Sequence, residues 1–530
     1  MTTRPNVTLP DRRAAPRPKP DLSIDRIGVV DIGSNSVRMV IYERCGAAAT
    51  PVFNEKILAG LGRDLAVTGK LYPQGAAQTF KALTRFKALA KAHNLKSLSA
   101  VATAAMREAD DGPNFVARVK TEIGIEIKVL SGEDEARMSA YGVIAGDSRA
   151  RGVVADLGGA SLELVRVDDR VVSNGKTLPL GPFVVSPQMI TGGDYDAAAL
   201  SQSVADGLAG AAADFNVEGE TLYLVGGAWR NLALISNKRQ AYPLPILNGF
   251  SMTPQAAMAL CDWASLEAAS DLMAWPSLSA GRARTLPYSA IVLKTLIEKL
   301  SPKRIVISPT GLREGFIYQN LPEAVQQREA LHDACHHLSI GNEQGLHFGP
   351  QLYQWLGGAA TLFPKTFETQ SENRLRLAAC LLVGMGKGLH PDRRAELVFD
   401  DVLYAPLSGL THKERVYLAL MLYSAYRGGK YVPNDAAINY HLLEREKQAA
   451  RIYGTAMRLG AVISSRSADL LSQFTLTGEP VKGEAPAQIN LQVSEGQDAL
   501  FNRRGHLRLR KLAEMLGADC LSNWQTAQTE

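Results

Sequence analysis

The sequence contains little that would suggest a secreted, membrane-spanning or zinc-binding protein. Its five cysteines are scattered over 530 residues without a CxxC spacing, which excludes a zinc ribbon or a disulfide framework and fits a reducing compartment. No uncharged apolar run approaches the roughly 20 residues that span a bilayer. The first residues lack the apolar stretch of a signal peptide. We therefore expect a cytoplasmic protein with no membrane partner.

The sequence also lacks a large excess of either positive or negative charge. The formal net charge of +5 is small for 530 residues, so composition gives no indication of a nucleic-acid-binding protein and allows at most one basic surface that receives an anion. Hydrophobic content of 46% and charged content of 21% are ordinary for globular proteins. The length predicts about three domains.

One short pattern occurs twice. The stretch VVDIGSNSVRMVIYE begins at Val29, and VADLGGASLELVRV begins at Val154. In each, an aspartate (Asp31, Asp156) closes an apolar run, small residues follow, and a second apolar run comes after them. This pattern is typical of two strands joined by a tight turn. Its duplication predicts two related halves that face each other.

Alternating strand-like and helix-like runs surround both hairpins and predict an α/β fold. After about residue 320 the pattern changes to amphipathic helices, such as HKERVYLALMLYSAYRG. The predicted organisation is a disordered Pro- and Arg-rich tail at 1–23, α/β halves at 24–150 and 151–320, and a mostly helical region at 321–530.

The two turns have the composition of a phosphate clamp. Gly, Ser and Asn in a tight turn leave backbone N–H groups pointing into a concavity, and such concavities bind anions. Small side chains let a phosphate approach the backbone closely. An aspartate on the preceding strand can hold Mg²⁺ against phosphate oxygens. Two opposed hairpins would then hold one phosphoryl group from both sides.

Six motifs occur in the order found in the exopolyphosphatase/guanosine pentaphosphate phosphatase (Ppx/GppA) family, and the sequence resembles that family over about 26–320. The motifs are DIGSNSVRM, ATAAMRE, VLSGEDEAR, VADLGGASLEL, LVGGAWRNLA and SPTGLREG. The resemblance implies two actin-like (ribonuclease H-like) α/β halves facing a cleft. It further implies a C-terminal domain resembling degenerate HD phosphohydrolases.

The resemblance also assigns the chemistry. Glu135, in a Ser-Gly-x-x-Glu-Ala turn, corresponds to the family's catalytic base, which would activate a water for in-line attack on phosphorus; without the resemblance it would be read as a solvated helix-start acid. Asp156 and Glu163 resemble the family's Mg²⁺-binding pair. Asp31 is a further candidate ligand or water-holder.

The phosphate-binding residues follow from the same motifs. Arg107 matches the family's phosphate-binding arginine, although by itself it would be read as a surface helix arginine. The turn residues expected to bind phosphate are Ser34, Asn35, Ser36, Gly158, Gly159, Ala160 and Ser161. Ala160 departs from the family's third glycine, and a positive φ there would strain the loop.

Other arginines are weaker candidates. Arg38 follows the first turn and Arg230 is a possible cleft-facing charge, whereas Arg313 and Glu314 are expected to be structural. The basic segment Arg503–Lys511 either extends the cleft for a long polyanion or forms a solvated helix face.

The C-terminal region is not expected to carry a second metal site. Val383 and Gly384 stand where the His-Asp pair of HD phosphohydrolases would be expected. His332 and His336 are four residues apart and could share a metal, but packing histidines are the favoured interpretation.

The resemblance implies a Mg²⁺-dependent hydrolase that removes the terminal phosphate of linear polyphosphate. The same chemistry on guanosine pentaphosphate is the alternative. An ATP-dependent kinase of the same superfamily and a non-hydrolytic polyphosphate or alarmone sensor are further alternatives. Family members often form dimers, so a homodimer is expected.

Overall fold

The structure is a computed structural model that describes residues 23–185, 196–212, 214–215, 218–267, 269–275, 278–340, 343–481 and 485–522. Apart from Ser23, the predicted tail at 1–23 lies outside the described residues.

The first α/β half is built on a five-stranded sheet whose strand order is β3-β2-β1-β4-β5. β1 and β2 form the first predicted hairpin, and β4 and β5 continue the sheet in parallel from β1. The strands are β1 (Asp25–Ile32), β2 (Val37–Cys45), β3 (Ala48–Ile57), β4 (Ser97–Ala102) and β5 (Ile127–Val129), and the helices are α1 (Leu65–Thr68), α2 (Pro73–Ala92), α3 (Ala104–Glu108), α4 (Gly112–Ile123) and α5 (Gly132–Gly146).

The second half repeats this order. Its hairpin pairs β6 with β7, and β10 and β12 extend the sheet in parallel from β6, so both predicted hairpins form and the α/β class is confirmed. The strands are β6 (Arg151–Leu157), β7 (Leu162–Asp168), β8 (Val171–Val172), β9 (Lys176–Leu178), β10 (Thr221–Val225), β11 (Ser251–Met252) and β12 (Arg304–Ile307). The helices are α6 (Pro182–Val185), α7 (Ala197–Ala212), α8 (Gly227–Arg239), α9 (Pro254–Leu266), α10 (Ala269–Met273), α11 (Ala280–Leu300) and α12 (Leu312–Gln319).

The last helix of each half packs on the sheet of the other half. α5 follows the first sheet in sequence but contributes to the core formed by β6, β7 and β10. α12 follows the second sheet but packs on β1 and β2 through Ile317. The two helices cross where glycines bring their backbones together: a Cβ on Gly315 would lie 1.7 Å from Met138 O, and one on Gly142 would lie 2.1 Å from Gly311 O. This crossing joins the two halves.

The C-terminal region has one large apolar core and is mostly helical, as expected. Its helices are α13 (Glu323–Gln326), α14 (Ala330–Ser339), α15 (Glu343–Gly357), α16 (Thr369–Leu382), α17 (Arg394–Tyr404), α18 (His412–Arg427), α19 (Ala436–His441), α20 (Glu444–Ile463), α21 (Ala468–Leu471) and α22 (Arg503–Leu516), with a 3₁₀ turn at Asp498–Leu500. The strands β13 (Phe474–Glu479), β14 (Gln488–Val493) and β15 (Asp519–Ser522) form a small sheet.

This region contacts both α/β halves. In the first half, Ala47 N donates to Asp333 Oδ2 at 2.8 Å. In the second half, Asn248 Nδ2 donates to Leu407 O at 2.9 Å. None of the helices among the described residues has the length and apolarity needed to cross a membrane.

Candidate active site

The turns after β1 and β6 close with the same hydrogen bond. Gly33 N donates to Ser36 O at 3.0 Å, and Gly158 N donates to Ser161 O at 2.9 Å. Both turns lie at the ends of the central strands of their sheets, next to the parallel neighbours β4 and β10. The structure therefore builds the predicted pair of turns with equivalent local geometry.

Neighbouring segments hold each turn through its carbonyl groups. Gly62 N donates to Ser34 O at 2.8 Å, and Gly181 N donates to Ala160 O at 3.0 Å. Within the described part of the chain, the amide N–H groups of Ser34, Asn35 and Ala160 have no protein acceptor. These donors are available to an anion.

The alanine in the second turn is accommodated without strain. Ala160 is not among the residues with positive φ, so its Cβ does not conflict with the backbone conformation. The backbone of this turn packs closely against Gly181 instead, where a Cβ would lie 2.2 Å from Ala160 C and 2.4 Å from Gly159 O. The departure from the family's glycine is therefore compatible with a formed turn.

Glu135 lies in the first turn of α5. The helix begins with Ser131 as N-cap, whose Oγ accepts from Asp134 N at 3.0 Å. The Glu135 side chain is only 14% exposed. Burial, and next the charge of Asp156, raise the pKa of Glu135 to about 7, against the opposing effect of Arg107. A carboxyl group with a pKa near neutrality is suited to accept a proton during a reaction.

Arg107 on α3 lies directly beside this carboxylate. Its guanidinium donates to Leu130 O at 2.9 Å and to Glu135 Oε2 at 3.4 Å, and it approaches Glu108 at 3.4 Å. Because one nitrogen is held by a backbone carbonyl, the orientation of the guanidinium is defined before any ligand binds. The structure thus brings together the predicted base and the predicted phosphate-binding arginine.

Asp156 and Glu163 are directly opposite each other in the β6–β7 pairing. Asp156 Oδ2 accepts a hydrogen bond from Ser139 on α5. Glu163 is 2% exposed, and its Oε1 has no hydrogen-bond partner among the described residues. Burial, together with the charges of Glu135 and Asp156, raises the pKa of Glu163 well above its usual range, and burial likewise raises that of Asp156. Such a buried acidic group requires a cation or protons to balance its charge.

Asp31 has a different environment from the other carboxylates. Arg313 on α12 donates to Asp31 Oδ2 at 2.8 Å, although Arg313 was expected to be structural. Glu314 beside it accepts from Tyr42 at 2.5 Å and from Gly311 N at 2.9 Å, which agrees with a structural role for Glu314. No three of the described His, Cys, Asp or Glu side chains converge as a ready-made metal site.

Five cations near Asp31 interact electrostatically with one another, and we refer to them as the basic wall: Arg38, Lys56, Arg230, Arg282 and Arg313. Lys56 is directly opposite Arg38 in the β2–β3 pairing. Burial, followed by the charges of Arg282 and Arg38, lowers the pKa of Lys56 to about 8. The mutual repulsion of these groups favours an anionic ligand between them.

Sequence reasoning missed three members of the site. Lys56 and Arg282 belong to no motif, and Ser139 reaches Asp156 only because α5 packs on the second sheet. Lys56 could have been found by pairing β3 with β2, because it occupies the position opposite Arg38.

The candidate residues of the C-terminal region do not belong to this site. His332 Nε2 contacts Arg374 O at 3.0 Å, a packing contact. Val383 is buried directly after α16. The basic segment is on α22, which buries Leu509 and Leu512 and leaves most of its charges outward.

Comparison with known proteins shows the family. The sequence profile of the Ppx/GppA phosphatase family matches residues 40–324, more than half of the chain. The chain belongs to this family. A second profile, for the exopolyphosphatase C-terminal domain, matches residues 331–519. The six motifs and the repeated hairpins therefore identified the family correctly, and the chain is a member of a phosphatase family.

Known relatives match more than half of the chain. "Exopolyphosphatase 1" of Mycobacterium tuberculosis is 26% identical over 329 residues, which cover 59% of this chain and 94% of the relative. "Retrograde regulation protein 2" of Saccharomyces cerevisiae is 26% identical over 337 residues, 57% of each chain.

Solved structures show the same fold. The Ppx/GppA family member from Aquifex aeolicus superposes with a TM-score of 0.51 at 22% identity and covers 57% of this chain and 100% of its own. An exopolyphosphatase from Cytophaga hutchinsonii gives a TM-score of 0.50 at 17% identity, over 58% and 99% of the two chains.

Proposed function

We propose that this family member is a Mg²⁺-dependent exopolyphosphatase that hydrolyses the terminal phosphoanhydride of linear polyphosphate. The observation that supports this most directly is the position of Glu135. It lies beside Arg107 and couples electrostatically to Asp156 at the second turn, with a pKa of about 7.

The residues can perform an in-line hydrolysis. The turn N–H groups and Arg107 bind the terminal phosphoryl oxygens and orient the phosphorus atom. Glu135 takes a proton from a water as the water oxygen attacks phosphorus. The anhydride P–O bond then breaks, and its electron pair leaves with the oxygen of the shortened chain. Orthophosphate is the other product.

The residues fit a Mg²⁺ ion. Glu163 Oε1 is buried without a partner, and Asp156 lies opposite it, so two hard oxygen donors are present. Mg²⁺ is commonly held by one or two carboxylates and completed by water and substrate phosphates, which suits a pair rather than a full cage. When bound, Mg²⁺ would neutralise charge on the phosphate oxygens.

The basic wall supports a polyanionic substrate. The two turns and Arg107 are sufficient to bind a single terminal phosphate. The five further cations can bind phosphate units beyond the scissile bond.

The test is phosphate release, with and without Mg²⁺, measured in parallel on long-chain polyphosphate and guanosine pentaphosphate. Faster release from polyphosphate is expected. Faster release from guanosine pentaphosphate would favour that substrate instead. Tight binding of both without release would favour a sensor, and ATP-dependent phosphorylation of an acceptor would favour a kinase.

Glu163→Gln is expected to stabilise the metal-free protein at pH 8 and to abolish stabilisation by Mg²⁺. The folded-state pKa of Glu163 is raised, so its ionisation opposes folding as pH rises through that value, and a neutral amide removes this penalty. Thermal unfolding with Mg²⁺ or with a chelator measures both effects. Glu133→Gln, an exposed neighbour on α5, is the control. An undiminished rise in Tm with Mg²⁺ in Glu163→Gln would exclude it as a ligand.

Lys56→Gln is expected to raise the KM for long-chain polyphosphate about tenfold with little change in kcat, since one charge-assisted contact to phosphate is worth roughly 1.5 kcal/mol. Steady-state phosphate release measures this. Lys81→Gln on the exposed face of α2 is the matched control. Equal KM values for the two variants would exclude the basic wall from substrate binding.

A further inference from the structure

A cavity of about 240 Å³ opens in the C-terminal region where the start of α17 meets the ends of α18 and α20. Four arginines line it, and we refer to it as the arginine pocket: Arg394, Arg427, Arg458 and Arg466. They come from three separate helices and the turn after α20, so residues distant in sequence converge on one small space.

Tyr426 organises the pocket. Its hydroxyl donates to Val383 O and accepts from Gly386 N at 3.0 Å. Its carbonyl accepts a hydrogen bond from Arg458, and its ring lies 5.4 Å beneath the guanidinium of Arg466. Arg394 in turn donates to Leu389 O at 2.9 Å. The arginines are therefore held in place by the protein.

Their charge is not balanced within the described residues. No described carboxylate forms a salt bridge with the four arginines, and Asp392, the one carboxylate lining the cavity, is 87% exposed at its rim. The Nε–H groups of Arg458 and Arg466 are buried without an acceptor. Buried donors of this kind normally have a partner.

The surrounding charges increase this imbalance. Arg508 on α22 adds positive charge beside Arg458, and the Arg508 Nε is likewise buried without an acceptor. Burial, and then the charges of Arg508 and the neighbouring arginines, lower the pKa of Arg458 to about 10. Arginine side chains stay protonated in proteins, so the protein keeps mutually repelling cations around an open cavity.

The pocket is separate from the catalytic cleft. None of its lining residues belongs to either α/β half. α18 starts at His412, which contacts Asn248 O of the second half at 3.1 Å, and Arg427 at its other end is roughly 22 Å further along the helix axis at about 1.5 Å per residue.

We propose that the arginine pocket is a second anion-binding site that takes the di- or triphosphate group of a small ligand. Guanidinium groups bind phosphate oxygens in pairs, and several of them around one small space match the charge density of linked phosphates. The volume admits the phosphate group and leaves any organic part outside. This site does not depend on the proposed catalytic function.

The experiment is calorimetric titration of the full chain with inorganic triphosphate in metal-free buffer. Two sites are expected in the wild type. Arg107→Gln should remove triphosphate binding at the catalytic cleft. Arg466→Gln should weaken triphosphate binding at the arginine pocket about tenfold or more. Arg393→Gln, an exposed arginine next to the pocket but outside its lining, is the matched control and should keep both sites.

A second variant separates ligand loss from misfolding. Arg427→Gln, at the exposed rim, should weaken the same site while leaving the ligand-free Tm unchanged. GTP in place of triphosphate distinguishes the sources of the group: tighter binding of GTP indicates a nucleotide, and equal binding indicates a free oligophosphate, both of which agree with the proposal.

The proposal is overturned if the wild type binds one triphosphate that Arg107→Gln abolishes. It is also overturned if Arg466→Gln and Arg393→Gln bind identically. A tenfold higher KM for long polyphosphate in Arg466→Gln, with one triphosphate site in the wild type, would instead make the pocket part of the substrate path.

Discussion

Glu135→Gln is expected to lower the rate of phosphate release about a thousandfold while polyphosphate still binds. Positioned general bases contribute 10²- to 10⁴-fold, and glutamine retains the shape of the side chain without its capacity to accept a proton. Arg107 can keep its bond to Leu130 O in the variant, so the phosphate-binding geometry is preserved. Initial rates and a binding titration, made on the same preparation, measure the two effects separately.

The pH profile of the wild type provides an independent readout. The pKa of Glu135 is raised to about 7 by burial and by Asp156, and the base must be deprotonated to act. We therefore expect kcat/KM to rise with pH up to about 7 and then to level off. The residual activity of Glu135→Gln should lack this step.

Glu133→Gln is the control for this change. Glu133 is on the same helix, exposed and paired with Arg137 at 3.2 Å, so its loss should leave the rate and its pH dependence unchanged. A Glu135→Gln variant that retains full activity would exclude Glu135 as the base and leave the proposed mechanism without a proton acceptor.

Gly315→Val is expected to destabilise the protein by several kcal/mol. A Cβ at this position would lie 1.7 Å from Met138 O and 2.7 Å from Gly142 N, both backbone atoms that cannot move away alone. Overpacking of a tight contact costs about 1–3 kcal/mol and sometimes more, and here the clash forces apart the helices that join the two halves. Denaturant unfolding measures the change in the free energy of unfolding.

Gly210→Ala is the control for the glycine substitution. Gly210 is on α7, and a Cβ there would meet nothing within 4 Å. Because alanine is the better helix former by about 1 kcal/mol, this change should be neutral or stabilising. If Gly315→Val unfolds at the same denaturant concentration as Gly210→Ala, the helix crossing does not constrain the two halves.

The local parts of the site could be predicted from sequence because their geometry depends on near neighbours. The turns at 33–36 and 158–161 follow from small residues between two apolar runs. Glu135 is placed in the first turn of α5 by Ser131, an N-cap residue that is readable from its position. The Asp156–Glu163 pair follows from the hairpin, in which residues facing each other across a short turn are determined by its length.

The environments of these residues could not be predicted. Glu163 could equally have been an exposed strand residue; its burial and its unpaired oxygen arise from α5 packing on the second sheet. Arg313 was expected to be structural, yet α12 crosses to the first half and places it 2.8 Å from Asp31.

The sequence by itself determined the family, the two hairpins and the identity of the candidate base, because each depends on short motifs and on local backbone preferences. The tertiary structure alone decided which charges are buried together: the basic wall, the raised pKa of Glu135 and the arginine pocket. Each of these arises because side chains from separate elements lie close together in a low-dielectric space. The strength of a charge interaction depends on the distance between the charges and on their burial, and neither can be predicted from a local sequence pattern.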